Sequence, residues 1–266
     1  MKTISIINLK GGVAKTISAA NIAHILAFIH NKRVLLVDND KQGNISKFFG
    51  IHSEEHPSIA ELLTERDANI YEIITPTQYP TLDVIPANMT LISANTEILG
   101  DNAPGRSTRL KTALQRVTAE YDYCIIDNAP DFNASTVNAL VASHDVLIPL
   151  KIDNFAFDGL AELVKQIYDI RDNINPELNL RGCFVVMYQN NDINRTGKEW
   201  LQGKEQYRLF NTHIRRTIKV DESTFTKKPI IEYSRRCGAA QDYIAFVAEY
   251  LENVSETDTK GGAENG

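Results

Sequence analysis

Along the chain, short runs of consecutive apolar residues alternate with longer stretches in which apolar positions recur every three or four residues. The runs are 4–7, 34–37, 82–85, 123–126, 146–150 and 182–187. Each has strand length, and several are apolar on both faces, as central strands of a parallel sheet are. Between them, 15–30, 107–119, 133–142, 157–171 and 239–252 carry helical spacing; the first has Ile17, Ala20, Ile22, Ile25, Leu26 and Phe28. This alternation predicts βαβ units, and so an α/β fold: a mostly parallel twisted sheet with helices on both faces. Region 51–81 is the least regular and reads as an inserted helix and loop. The polar, glycine-bearing stretch 255–266 reads as a disordered tail, which leaves 1–254 as one domain.

Length and composition narrow this picture. A chain of 266 residues, 43% hydrophobic and 23% charged, suits one generous α/β domain that buries its own core. The three cysteines, Cys124, Cys183 and Cys237, form no disulfide framework or zinc spacing and read as reduced thiols. The six histidines lack metal-ligand spacing. No stretch has the apolar length needed to cross a bilayer, and the residues before the first glycine loop are too few for a signal peptide. A cytoplasmic location with no membrane partner is expected. Net charge is −6, so any nucleic-acid binding must come from a local patch.

The first chemistry lies where the first strand ends, at Asn8. There follows Leu9-Lys10-Gly11-Gly12-Val13-Ala14-Lys15-Thr16 and then a helix. Strand, glycine loop, Lys-Thr and helix form the context of a phosphate-binding P-loop. Its backbone N–H groups point at phosphate oxygens and the helix N-terminus adds its dipole. Lys15 would reach the β- and γ-phosphates and the Thr16 hydroxyl would ligate Mg²⁺. The strict pattern G-x-x-x-x-G-K-[ST] is not met, because Leu9 and Ala14 occupy the glycine positions. A right-handed backbone at Ala14 is expected, one that alanine adopts freely.

Two acidic strand ends follow. The second run leads into Asp38-Asn39-Asp40-Lys41-Gln42-Gly43-Asn44, at the carboxyl end of a strand where ligands bind in open α/β sheets. The fourth, Tyr123-Cys124-Ile125-Ile126, ends in Asp127-Asn128-Ala129-Pro130. A buried strand that fixes a carboxylate is the Walker B arrangement.

Together these segments resemble the ParA/Soj-type partitioning ATPases of the ParA/MinD class of P-loop NTPases. Lys10-Gly11-Gly12-Val13-Ala14-Lys15-Thr16 resembles the deviant Walker A motif KGGVGKT, 38–44 the DxDPQGN segment, and 121–130 the form YDYIIIDTPP. Further agreement at 82–88, 146–150, 155–160 and 229–243 carries the resemblance over roughly residues 2–252. It implies an ATPase that uses ATP and Mg²⁺ and closes as an ATP-dependent sandwich homodimer. Lys10 would act in trans on the partner's nucleotide, Asp40 would position or deprotonate the attacking water, and Asp38 would support Mg²⁺ or the loop. Asp127 would stand on the metal side. Gly11, Gly12, Val13, Ala14 and Ile17 would line the phosphates, and Met187 and Pro229 the adenine. Three positions depart from the pattern: Ala14 for glycine, Ile17 for a second threonine, and Lys41 for proline. Loss of the threonine hydroxyl at Ile17 is expected to weaken nucleotide binding without abolishing it.

Charge is segregated. Residues 204–237 hold nine cations against four acids, whereas from Glu249 onward five acids face one lysine. The resemblance implies that such basic residues bind DNA without sequence preference, and Arg215, Arg216, Lys219, Arg235 and Arg236 are the candidates. The P-loop begins within the first dozen residues, so no N-terminal helix-turn-helix and no operator binding are expected. A ParB-like centromere-binding protein is the implied partner, with association to the nucleoid when ATP is bound. Two alternatives stay open: a nucleotide-binding regulatory switch with little turnover, and a MinD-like membrane-associated ATPase. The acidic C-terminus argues against the second.

Overall fold

The computed structural model describes residues 1–153, 157 and 159–263, with side chains as far as Ser255. The first half runs β1 (Lys2–Ile6), α1 (Lys15–Phe28), β2 (Val34–Asn39), α2 (Asn44–Phe48), α3 (Ile59–Thr64), α4 (Ile70–Ile73), β3 (Thr75–Pro76), β4 (Leu82–Ile85), α5 (Leu91–Gly100) and α6 (Arg109–Gln115). The second runs β5 (Tyr123–Asn128), α7 (Ala134–Ala142), β6 (Asp145–Lys151), α8 (Leu160–Asn173), β7 (Asn179–Val186), α9 (Asp192–Gln202), α10 (Ile218–Phe225), α11 (Ile230–Ser234) and α12 (Gly238–Ala263).

All six expected strands pair in one sheet of order β3-β4-β2-β5-β1-β6-β7. Every pairing is parallel except that of β3, a two-residue strand antiparallel to β4. The fold is therefore the doubly covered α/β sheet that the alternation predicts. In β2, Val34 and Leu36 enter the core on one face, packed with α1 and α12, while Leu35 and Val37 enter the other, with α3, α5 and α6. This period of two, apolar on both sides, explains why the strand reads as an unbroken apolar run. Helix α1 is buried almost all round, from Ala19 and Ile22 to Leu26, so its apolar spacing mixes threes and fours.

Several expectations are refined. Strand β1 stops at Ile6, not Asn8. Region 51–81 holds two short helices and β3. The stretch 255–266, expected as a disordered tail, is helical backbone as far as Ala263, because a helix already nucleated by packing extends at little cost per residue. Residues 264–266 lie outside the described residues, as does Phe155 of the 155–160 segment. Among the described residues no helix is long and apolar enough to cross a membrane.

Register sets up the site. Asp38 lies opposite Asp127 and Asn39 opposite Asn128 on neighbouring strands. Ile6, the last residue of β1, also pairs with Asp127. The loop after β1 thus emerges beside β5, which like the next strand out, β2, ends in aspartate then asparagine.

Candidate phosphate loop and acidic strand ends

The loop between β1 and α1 is pinned at its start. The Asn8 side chain donates to the Pro149 carbonyl at 2.8 Å, and accepts from the Lys10 amide at 2.9 Å. Gly12 has φ 71° and Ala14 has φ 56°, ψ 27°. The right-handed backbone expected at Ala14 is therefore corrected: alanine sits in the left-handed region, where its Cβ crowds the backbone at a cost of about 1 kcal/mol. The gain is geometric. Alternating handedness turns successive N–H groups to one side, as in an anion nest. Among the described residues the amides of 11–16 find no protein acceptor. A Cβ at Gly11 or Gly12 would meet nothing within 4 Å, so the concave side is open.

Lys15, the first residue of α1, is buried and donates from Nζ to the Lys10 carbonyl at 3.0 Å, spanning the loop. Burial lowers its pKa, opposed by the charges of Asp127, Asp40 and Asp131. Asp127 is fully buried at the end of β5, and neither carboxylate oxygen has a hydrogen-bond partner within bonding distance. Burial first, then the charge of Asp38, raises its pKa well above the usual carboxylate range; nearby Thr16 and Lys15 pull the other way. A buried acid with both oxygens unanswered is costly unless a cation or its water completes it. The donors on hand, the Thr16 hydroxyl and the Asp127 carboxylate, are hard oxygens of the kind that suits Mg²⁺ sharing its shell with phosphates and water. Among the described residues no group of three His, Cys, Asp or Glu side chains is placed to hold a metal ion.

Asp38 is also fully buried, but its oxygens are occupied. Oδ2 accepts from the Ser46 hydroxyl at 2.7 Å and the Ser46 amide at 2.9 Å, and Oδ1 accepts from the Asp40 amide at 3.3 Å. Burial raises its pKa to about 7 despite these bonds. Of the two roles expected for Asp38, support of the loop is the one these bonds meet. Ser46 in turn accepts from the Ala87 amide at 2.9 Å, so one serine ties β2, α2 and the end of β4. Asp40 caps its own turn by accepting from the Gln42 amide at 2.9 Å. Gly43 closes that turn at φ 60°, and a Cβ there would lie 2.7 Å from the Ala87 carbonyl oxygen.

The two acidic loops touch. Lys41 reaches Asp131 at 3.8 Å. The Asn39 amide donates to Asn128 Oδ1 at 2.9 Å and to the Ser135 carbonyl at 3.2 Å. Asn133 caps α7 by accepting from the Thr136 amide at 2.9 Å, so the helix starts directly beyond the loop after Asp127.

The remaining candidates divide. Lys10 is folded back in an ion pair with Asp153 of its own chain. Met187, at φ 53°, lines a cleft of about 140 Å³ together with Ala14, Ile17, Arg215 and Arg216, beside the loop. Pro229 is buried elsewhere: the next residue, Ile230, donates to Asn21 of α1 at 2.8 Å, and Pro229 does not line that cleft. Arg215 is clamped by Asp242, with Nε to Oδ2 and Nη2 to Oδ1 both at 2.8 Å. Lys219 pairs with Glu222 at 2.7 Å. Arg235 and Arg236 are exposed, with no ion pair among the described residues. Sequence reasoning missed Asn8, Ser46 and Asn39 as organisers of the loops. A polar residue at or just past the end of an apolar run was the signal for Asn8 and Asn39; Ser46, inside α2, gave none.

The model for the AAA domain family matches residues 1–180. The chain is 34% identical over 255 residues to the sporulation initiation inhibitor protein Soj of Bacillus subtilis, covering 95% of this chain and 99% of that one. It is 32% identical over 263 residues to the chromosome partitioning protein ParA of Caulobacter vibrioides, covering 98% and 97%. Among solved structures it is similar to cobyrinic acid a,c-diamide synthase of Mycobacterium smegmatis with a bound ATP analog and magnesium: TM-score 0.83, 28% identity, 96% of each chain covered.

Proposed function

The chain belongs to the ParA/Soj family of partitioning ATPases, and from that premise we propose that ATP binding closes two copies into a sandwich dimer that holds DNA without sequence preference. It is an ATPase that takes ATP and Mg²⁺. The observation that carries the reading is the run of unanswered amides at 11–16, opening beside the unpartnered carboxylate of Asp127.

In this reading the amides of 11–16 hold phosphate oxygens, and Lys15 exchanges the Lys10 carbonyl for the β- and γ-phosphates. Mg²⁺, when bound, neutralises charge building up on the transferred group. Thr16 and Asp127 hold it, and Asp38 keeps the loop that carries Asp40 in place. Asp40 orients the attacking water. Lys10 leaves Asp153 and crosses to the partner's nucleotide, where a cation offsets two facing triphosphates. Ile17 lines the phosphates beside the loop, and Met187, in the adjoining cleft, shelters the base. Arg235 and Arg236 contact DNA phosphates, joined by Arg216; Arg215 and Lys219 are held by their own acids. A ParB-like centromere-binding protein stimulates slow hydrolysis and resets the cycle, in the cytoplasm and on the nucleoid.

Sizing in solution with and without Mg-ATP tests this, with Asp40→Ala to trap the bound state. An ATP-dependent dimer that retains DNA, absent in Lys15→Ala, is expected. Equal DNA retention with ATP, without nucleotide and in Lys15→Ala would remove the switch. A second reading, a nucleotide switch with little turnover, is favoured by the Lys41–Asp131 contact, which ties both acidic loops where proline is usual. Phosphate release with DNA and partner present separates the two.

A further inference from the structure

On the sheet face away from α1, a cleft of about 250 Å³ opens between α3 and α6. Arg66, Arg109 and Arg116 converge on it, with Thr108 and Thr112 beside them. The sequence explains the charge: residues 104–118 hold four cations and no acid. Two of the arginines are held by carbonyl oxygens. Arg109 donates to the Leu63 carbonyl and pairs with Asp101, while Arg116 donates to the Ala68 carbonyl at 2.9 Å. A carbonyl fixes a guanidinium without cancelling its charge. Arg66 has neither a hydrogen bond nor an ion pair among the described residues. Glu65 also lines the cleft, and Asp101 answers Arg109 with its charge also reaching Arg66, so three guanidiniums against two carboxylates leave a surplus of one cation.

We infer that this cleft is a second anion site, distinct from the loop at 10–16, that takes the phosphate or pyrophosphate group of a small phosphorylated molecule through Arg66, Arg109 and Arg116. A guanidinium fork matches the paired oxygens of phosphate; Arg66 and Arg116 keep donors for such a group, while Arg109, held by Leu63 and Asp101, adds its charge at the wall. The threonine hydroxyls supply further donors at its wall. Gly105, at φ 87°, lets the connection between α5 and α6 curl around the opening. That connection and the start of α6 are hydrogen-bonded to α7: Asn138 donates to the Arg106 carbonyl at 3.0 Å and accepts from the Leu110 amide at 3.4 Å. Helix α7 starts just beyond the loop after Asp127, so the cleft and the nucleotide end adjoin the same helix.

Calorimetric titration with inorganic pyrophosphate tests the assignment on the full chain. Wild type, Lys15→Ala and Arg66→Gln/Arg116→Gln are compared, with Arg235→Gln/Arg236→Gln as a control for diffuse surface charge. Pyrophosphate binding that survives in Lys15→Ala and in the control, and weakens about tenfold or more in the Arg66/Arg116 variant, is expected. Single Arg66→Gln, which breaks no internal bond, should show part of the same loss. Loss of all binding in Lys15→Ala, or unchanged binding in the Arg66/Arg116 variant, overturns the inference. Neither result bears on whether ATP enters the glycine loop, which ATP titration of Lys15→Ala reads separately.

Discussion

Around Asp127 the protein buries acids and leaves the key one unpartnered; in the basic segment 204–237 it exposes cations and partners several of them. The first arrangement is costly in isolation and is relieved by a ligand. The second costs little and leaves a weaker field than the sequence suggests. Nine cations between 204 and 237 look like a DNA-binding face, yet Arg215 and Lys219 are answered by Asp242 and Glu222. Formal charge counted along a chain is not the charge a ligand meets. The useful cations are those whose acids lie elsewhere, and the useful acids are those with nothing to accept from.

The contrast can be broken most severely at the loop. Lys15→Ala should lower ATP hydrolysis by about 100-fold or more, read as phosphate release, since the residue both spans the loop and faces the developing charge. Activity close to wild type would detach the buried acids from catalysis. Next in size is stability without ligand. A carboxyl whose folded pKa lies above its unfolded value favours the protonated folded state. The ligand-free protein therefore loses stability as pH rises from about 4 upward, through about 7 for Asp38 and above the usual range for Asp127. Asp127→Asn should then melt higher than wild type at pH 7 by an amount on the order of 1–3 kcal/mol, with the gap closing towards pH 4. With Mg-ATP present the order should reverse. Parallel melting curves at every pH would show that the carboxylate carries no burial penalty.

On the basic side the effects are smaller. Arg235→Ala and Arg236→Ala should each lower the slope of log affinity for duplex DNA against log salt by about one. Arg215→Ala should leave that slope nearly unchanged and lower the melting temperature through loss of its fork to Asp242. Equal slopes for all three would erase the distinction between free and clamped cations. Smallest is Ala14→Gly, which should stabilise the protein by about 1 kcal/mol by relieving the left-handed alanine, measured by denaturant unfolding.

How much of this was visible in the sequence depends on the range of the interaction. Strands β1, β2, β4, β5, β6 and β7 were legible because an apolar run needs no partner to be read. Asp38, Asp127 and the loop at 10–16 were legible because strand, turn and helix follow one another along the chain. Helix α5 was not: Ile92 and Leu99 are exposed while Leu91, Ala94 and Ile98 are buried, which blurs its apolar face. The handedness of Ala14 was misread because local sequence does not fix φ there; the pinning of Asn8 to Pro149, far along the chain, helps to set the loop. The ion pairs Lys10–Asp153 and Arg215–Asp242 join residues distant in sequence, so no motif announces them.

Asp38 faces Asp127 on one rung, and Asn39 faces Asn128 on the next. The second rung carries dipoles without net charge directly beside two acids, where an arriving polyanion must be tolerated. Each amide is also bonded: Asn39 donates to Asn128 Oδ1 and the Ser135 carbonyl, and Asn128 donates to the Ile6 carbonyl. A carboxylate at either place would lose those donors and add charge beside the phosphates, so Asn39→Asp or Asn128→Asp should lower both stability and ATP affinity.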